Sequence, residues 1–263
     1  MEYTFSWGNT GEKPSLGSGE VHVWRADLDA WTPDIPDLLR ILSVDERERA
    51  GRFRFQRDRD RFVVARGLLR AILGRYLDQD SARLRFQYGP AGKPSLDMGP
   101  EADSIRFNLS HSRGLALYAL ARGREVGIDL EAIRPDMGWE PIARSFLSAS
   151  EVTALLALPR DLRARAFFFC WTRREALAKA LGEGIGQPSE QPDPPGWSIW
   201  DLDPGPGYAA ALAVEGGGWM HRFAITRLSR VMPSSIWPGA TPEKLSRMLL
   251  VRPPRGWKAA PGT

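Results

Sequence analysis

The chain predicts an α+β fold made of two similar halves, each a small, mostly antiparallel sheet packed with helices. Two capping-box sequences, Ser43-Val44-Asp45-Glu46 and Ser148-Ala149-Ser150-Glu151, stand 105 residues apart. Each precedes a short helical stretch and then a long one. Each long stretch leads toward a strand-rich segment, Ile105 to Ala121 in the first half and Tyr208 to Leu228 in the second. The repeated order points to duplication of one unit. Two unrelated α+β halves are the alternative, because residue identity between the copies is poor.

The elements follow in chain order. Gly8 to Gly19 is rich in Gly and Ser, so residues 1–19 read as a flexible N-terminal segment. Val21-His22-Val23-Trp24 alternates like a first strand. Ser43 then opens a short helix, its hydroxyl accepting from an orphan amide while Glu46 reaches back. Asp58 is a candidate cap for a longer helix in which Phe62, Ala65, Leu69, Ile72, Leu73 and Tyr76 recur at threes and fours. Arg59, Arg61, Arg66 and Arg70 fall largely off that stripe. Gly-Pro and Gly-Lys-Pro at 89–94 mark a loop. Ile105 to Ala121 reads as a hairpin with Ser112-Arg113-Gly114 near its turn.

The join falls near Arg122 to Glu125, which gives an N-terminal half at 20–123 and a C-terminal half at 124–232. A strand carrying Asp129 and Glu131 begins the second half at this seam, where ligand clefts are common. A long helix spans roughly Asp161 to Leu181. Residues 233–263, rich in Pro and Trp, form a tail with one short helix after Thr241-Pro242.

Composition excludes several classes. The 36 Lys and Arg exceed 32 Asp and Glu, a net charge of +4 that favours an anionic partner without naming it. Cys170 is the only cysteine, so no intrachain disulfide forms, and its apolar neighbours assign it to packing. No segment approaches eighteen uninterrupted apolar residues and Met1 to Thr10 lacks a leader pattern, so the expected location is cytoplasmic. The glycines at 182, 184 and 186 end a helix, where a dinucleotide loop must open one. Three histidines and one cysteine do not complete a structural zinc set. Ser110 and His111 are adjacent on a strand and project to opposite faces, so they do not share a proton.

The chemistry concentrates in two stretches. In Val126-Gly127-Ile128-Asp129-Leu130-Glu131 the two acids are two apart and share one strand face, while Val126, Ile128 and Leu130 form the opposite, buried one. In Trp171-Thr172-Arg173-Arg174-Glu175-Ala176-Leu177-Ala178-Lys179, Glu175 and Lys179 lie one helical turn apart. Taken singly, the helix pair reads as an ordinary exposed pair and the acids as solvent-facing. Together, three carboxylates and a lysine describe a site for a hard cation, Mg²⁺ or Mn²⁺, holding a phosphorylated substrate. A non-catalytic nucleic-acid binder gives no reason for converging carboxylates, which repel phosphate unless metal-loaded.

Gly92-Lys93-Pro94, Phe107-Asn108-Leu109-Ser110-His111-Ser112, Val126 to Glu131 and Trp171 to Lys179, in that order, resemble the motifs of the 4′-phosphopantetheinyl transferases. The resemblance is to the monomeric, pseudo-duplicated class that activates polyketide and peptide synthases, and it covers roughly residues 20 to 230. It implies two halves related by a pseudo-two-fold axis with the active site between them. It also implies transfer of the phosphopantetheine arm of coenzyme A to a serine of an apo carrier protein, acyl or peptidyl, with release of 3′,5′-ADP. The family's roles map here as Asp129, Glu131 and Glu175 binding Mg²⁺, Glu175 accepting the serine proton, and Lys179 stabilising the leaving oxygen. Lys93, Ser110, His111, Arg49 and, more weakly, Arg61 map to coenzyme A contacts. One departure is Arg174, where the family usually has Lys. The carrier presents an acidic helix, so the arginines between Arg47 and Arg70 are candidate docking residues. The implied partners exclude nucleic acid and membrane, and the implied assembly is a monomer. A Mg²⁺-dependent phosphohydrolase of coenzyme A or a nucleotide, with water in place of serine, is the competing enzymatic reading.

Overall fold

The computed structural model describes residues 14–17, 19–97, 104–184, 195–216 and 222–228, the last stretch as backbone. Most of the Gly8–Gly19 stretch and the whole Pro/Trp-rich tail, including the helix predicted after Thr241-Pro242, lie outside the described residues.

The first half runs β1 (Glu20–Asp27), a 3-10 turn (Asp29–Asp34), α1 (Ile35–Ile41), α2 (Val44–Gly51), α3 (Gln56–Leu77), a second 3-10 turn (Ser81–Arg83), a small hairpin of β2 (Phe86–Tyr88) and β3 (Pro94–Leu96), then β4 (Ile105–Ser112) and β5 (Leu115–Arg122). The second runs β6 (Val126–Ala132), α4 (Trp139–Phe146), α5 (Ala149–Ala157), α6 (Arg160–Leu181), β7 (Trp197–Leu202), β8 (Tyr208–Glu215) and β9 (Arg222–Leu228). Strand order in the first sheet is β4-β5-β1-β9, and in the second β6-β8-β7. With β6 matched to β1, β8 to β5 and β7 to β4, the two antiparallel triplets have the same order. The fold is α+β in two repeated parts. β9 breaks the repeat by crossing back to pair in parallel with β1.

Period-two alternation sorts the layers. On β5, Ala116, Tyr118 and Leu120 join the core under α3, whereas Leu115, Leu117, Ala119 and Ala121 face the second sheet. On β6, Val126, Ile128 and Leu130 meet them from the other side, with Ala210, Leu212 and Val214 of β8. The order of layers is therefore helices, sheet, sheet, helices. The remaining face of β6 and β8, carrying Ala211 and Ala213, is covered by α6. Asp129 and Glu131 belong to that covered face, so a helix rather than water lies over the acids.

Both capping boxes form: Glu46 Oε2 accepts from Ser43 N at 3.0 Å, and Glu151 Oε2 accepts from Ser148 N at 2.8 Å. Asp58 is not the cap of α3. The capping position is Phe55, and Asp58 sits in the first turn, where its charge complements the helix dipole. Arg66 and Arg70 are not on a solvated face either; both are buried, and both bind Glu46, at 2.6 and 2.5 Å. Arg70 Nη1 also donates to the carbonyls of Ser81 and Leu84, so desolvating the ions is offset by multiple partners. The second half repeats the device. Arg174, at the same position of the 22-residue α6 as Arg70 in the 22-residue α3, reaches the capping-box Glu151 at 2.5 Å.

Candidate active site

Gly127 sets how closely α6 approaches β6. A Cβ at that position would lie 2.0 Å from the Ala176 carbonyl oxygen and 2.4 Å from the Ala180 amide nitrogen. The helix answers with alanines, Ala176 and Ala180, both buried against the sheet. Backbone on backbone contact of this kind brings the flanking helix side chains, Glu175 and Lys179, down onto the acidic face of β6.

The lysine arrives at hydrogen-bond distance. Lys179 Nζ donates to Asp129 Oδ1 at 2.5 Å and to Ser110 Oγ at 3.1 Å, and Ser110 Oγ in turn donates to the same carboxylate oxygen at 2.9 Å. Asp129 is 3% exposed, and its other oxygen, Oδ2, is buried with no hydrogen-bond partner. Glu131 Oε2 accepts from Ser112 Oγ at 3.0 Å. Burial and the neighbouring Asp129 raise the pKa of Glu131; the Ser112 bond and the cations Arg134 and Lys179 oppose that rise. Glu175 is raised by the same two causes, with Lys179 acting against them and Glu131 adding to them. The three carboxylates thus feel one another and the lysine.

Edge amides of β6 tie this group to the first half. Ile128 N, Leu130 N and Ala132 N donate to Asn108 Oδ1, Ser110 Oγ and Ser112 Oγ at 2.9, 3.2 and 3.0 Å. His111, on the opposite face of β4, is solvent-exposed. Protein atoms crowding its ring, then the charges of Lys179 and Arg49, lower its pKa.

Three predicted contacts are spent locally. Lys93 Nζ binds Glu125 Oε2 at 2.7 Å and the Ala180 carbonyl at 2.8 Å, near the C-terminal end of α6. Arg61 makes a two-pronged pair with Asp29, at 2.7 and 2.6 Å, which fastens α3 to the first 3-10 turn. Ser110 donates to Asp129 Oδ1 and accepts from Leu130 N and Lys179 Nζ. Sequence reasoning missed Gly127, Asn108 and Ser112. The signal was there in part, since Asn108, Ser110 and Ser112 are a polar period-two run on a strand whose other face is apolar.

A hard divalent cation suits these donors: oxygen ligands only, one buried carboxylate oxygen without a partner, and two acids whose ionisation a positive charge would favour. Among the described residues, no group of three or more His, Cys, Asp or Glu stands arranged to hold a metal ion, and Lys179 Nζ occupies the Asp129 Oδ1 position instead. No helix among them is long and apolar enough to cross a membrane.

An acid-bearing strand under a Glu-x-x-x-Lys helix face, tied by side-chain bonds to a strand of the other repeated unit, suits enzymatic chemistry on an anionic substrate. The same halves are recovered by comparison with known proteins. Residues 125–223 match the family described as the 4′-phosphopantetheinyl transferase superfamily, and residues 26–121 match 4′-phosphopantetheinyl transferase, N-terminal. The chain is 40% identical over 221 residues to the 4′-phosphopantetheinyl transferase HetI of a Nostoc species, covering 80% of this chain and 93% of that protein. It is 30% identical over 151 residues to the 4′-phosphopantetheinyl transferase Sfp of Bacillus subtilis, covering 57% of this chain and 65% of that protein. With the 4′-phosphopantetheinyl transferase AcpT of Salmonella typhi it shares 37% over 100 residues, 38% and 50% of the two chains. The chain belongs to the 4′-phosphopantetheinyl transferases and is an enzyme of that kind.

Proposed function

We propose that the enzyme takes the 4′-phosphopantetheine arm from coenzyme A and places it on a serine hydroxyl of an apo acyl or peptidyl carrier protein, with 3′,5′-ADP as leaving group and Mg²⁺, or Mn²⁺, required. The observation that carries this reading is the meeting of Asp129, Glu131, Glu175 and Lys179 where α6 lies on β6.

Attack on a pyrophosphate needs its negative charge balanced and its geometry fixed. Asp129, Glu131 and Glu175 would hold the divalent ion, which supplies positive charge to the pyrophosphate when bound. Glu175, with its raised pKa and no hydrogen bond among the described residues, accepts the serine proton, a step worth about 10²–10⁴ in rate. Lys179, one turn away, donates to the departing phosphate oxygen. His111 and Arg49 receive phosphate groups of coenzyme A, and Lys93 joins them by exchanging Glu125 for phosphate.

The carrier would dock beside α2. Phe53 and Phe55 are exposed there among Arg52, Arg54 and Arg57, a mixed apolar and cationic surface that suits an acidic helix. Replacing Arg52 and Arg54 by Gln should raise the carrier KM at low salt, and an unchanged KM would remove this surface. Since both halves are in one chain, we assign a monomer, which gel filtration checks.

The test of function is intact mass spectrometry of an apo carrier incubated with the enzyme, coenzyme A and Mg²⁺. A carrier heavier by one phosphopantetheine, lost when EDTA is present, supports the assignment. Free phosphopantetheine with unmodified carrier would overturn it in favour of hydrolysis.

A further inference from the structure

Three side chains of β4 meet three amides of β6 in strict step: 108 with 128, 110 with 130, 112 with 132. The amides are those that β6 turns away from its ladder partner β8, so they would otherwise be buried or part-buried donors without a backbone acceptor. The two serines have a second bond that Asn108 lacks. Ser110 Oγ donates to the carboxylate of residue 129, and Ser112 Oγ donates to that of residue 131. Each serine therefore accepts from one β6 residue and directs the carboxylate of the residue before it. At Asn108 the matching position is Gly127, which has no side chain to direct.

We infer that Ser112 is a positioning residue for the transfer reaction: it fixes Glu131 Oε2 toward Asp129 and so preorganises the acid pair for a divalent cation. The inference rests on the metal role given to these acids above. Glu131 is a flexible side chain, and one directional donor removes rotamers that splay it away from Asp129. The amide bond from Ala132 orients that donor, because a hydroxyl accepting along one lone pair has its proton turned toward the carboxylate. The first half of the chain thus contributes to a cation site whose ligands all come from the second.

The probe is Mn²⁺ binding to the whole enzyme, read by electron paramagnetic resonance of the unbound ion, with no transfer reaction involved. Ser112→Ala should raise the Mn²⁺ Kd by about tenfold, in the range for removing a partner that orients a metal ligand. Ser112→Thr, which keeps the hydroxyl on a β-branched side chain suited to a strand, should restore it to near wild type. In a Glu131→Gln background, Ser112→Ala should have no further effect, since the serine acts through that carboxylate. If Ser112→Ala does not fold, Ser112→Cys, with a similar shape and a weaker donor, replaces it. Unchanged Kd in Ser112→Ala, or an equal loss in the Glu131→Gln background, would overturn the inference while leaving the metal reading intact. Wild-type enzyme that binds no Mn²⁺ would overturn the metal reading itself.

Discussion

Lys179 and Asp129 face each other across the α6–β6 contact with 2.5 Å between Nζ and Oδ1, the aspartate buried and the lysine about one third exposed. An ionised carboxylate at such depth needs its counter-ion. Lys179→Met should abolish transfer and also destabilise the fold by about 3 kcal/mol, the low end for stripping a partner from a buried charge. Adding Asp129→Asn should recover most of that stability but no activity. Urea unfolding of the two variants checks the first statement and carrier modification the second.

Glu175→Gln should lower turnover by at least about 100-fold while making the protein more stable at neutral pH. The sign follows from the raised pKa, caused first by burial and then by Asp129. A carboxyl group that holds its proton more tightly when folded costs stability above its folded pKa, and that cost disappears as pH falls through the folded value toward the unfolded one. The melting temperature of the variant should exceed that of wild type at pH 8 in EDTA, and the gap should close toward pH 4. A gap that widens on acidification would contradict this environment for Glu175.

Gly127→Ala should be severe for its size. Its methyl group would fall on helix backbone at 2.0 and 2.4 Å, and backbone does not rotate aside. The expected loss is about 3 kcal/mol or more, at the upper end for overpacking, with α6 lifted from the sheet. Because that lift separates Glu175 and Lys179 from Asp129, kcat should fall further than the loss of folded protein explains. Activity per folded molecule, measured against calorimetry, separates the two effects.

Lys93 and Glu125 offer a test by opposite changes. If the lysine serves coenzyme A, Lys93→Met should raise the coenzyme A KM about tenfold, the value of a charge-assisted hydrogen bond. Glu125→Gln, which releases the lysine from a part-buried pair, should lower it by about two- to fivefold. Equal KM in both variants would confine Lys93 to capping the end of α6 at the Ala180 carbonyl.

Local chemistry was the legible part of this chain. The capping boxes set the starts of α2 and α5, because a serine and a glutamate three apart satisfy orphan amides without outside help. The predicted hairpin appears as β4 and β5, turning at Arg113 with a positive φ of 52°. The predicted Asp161–Leu181 helix differs from α6 by one residue. Burial was harder to read. Arg66 and Arg70 scored as polar against the apolar stripe of α3, yet they lie inside, because Glu46 doubles as cap and counter-ion and a single sequence does not display a partner 20 or 24 residues away. The acid strand was legible as a pattern but not as a place: alternation put Asp129 and Glu131 on one face, and only the packing of α6 shows Asp129 buried and Glu131 half-buried there. Asn108 and Ser112 went unread since their partners are backbone amides, which every sequence has. The same blindness hid the fate of Lys93, whose acceptors are a carbonyl and a glutamate at the join.

The return of β9 to the first sheet makes the chain a clasp fastened last. β1 lies between β5 and β9, so the first strand among the described residues gains its second neighbour only when residues 222–228 have been synthesised. A chain severed at the join would leave the earlier piece with β1 as a bare edge, open to pairing with strangers. The first sheet is thus completed by a strand from the second half of the chain.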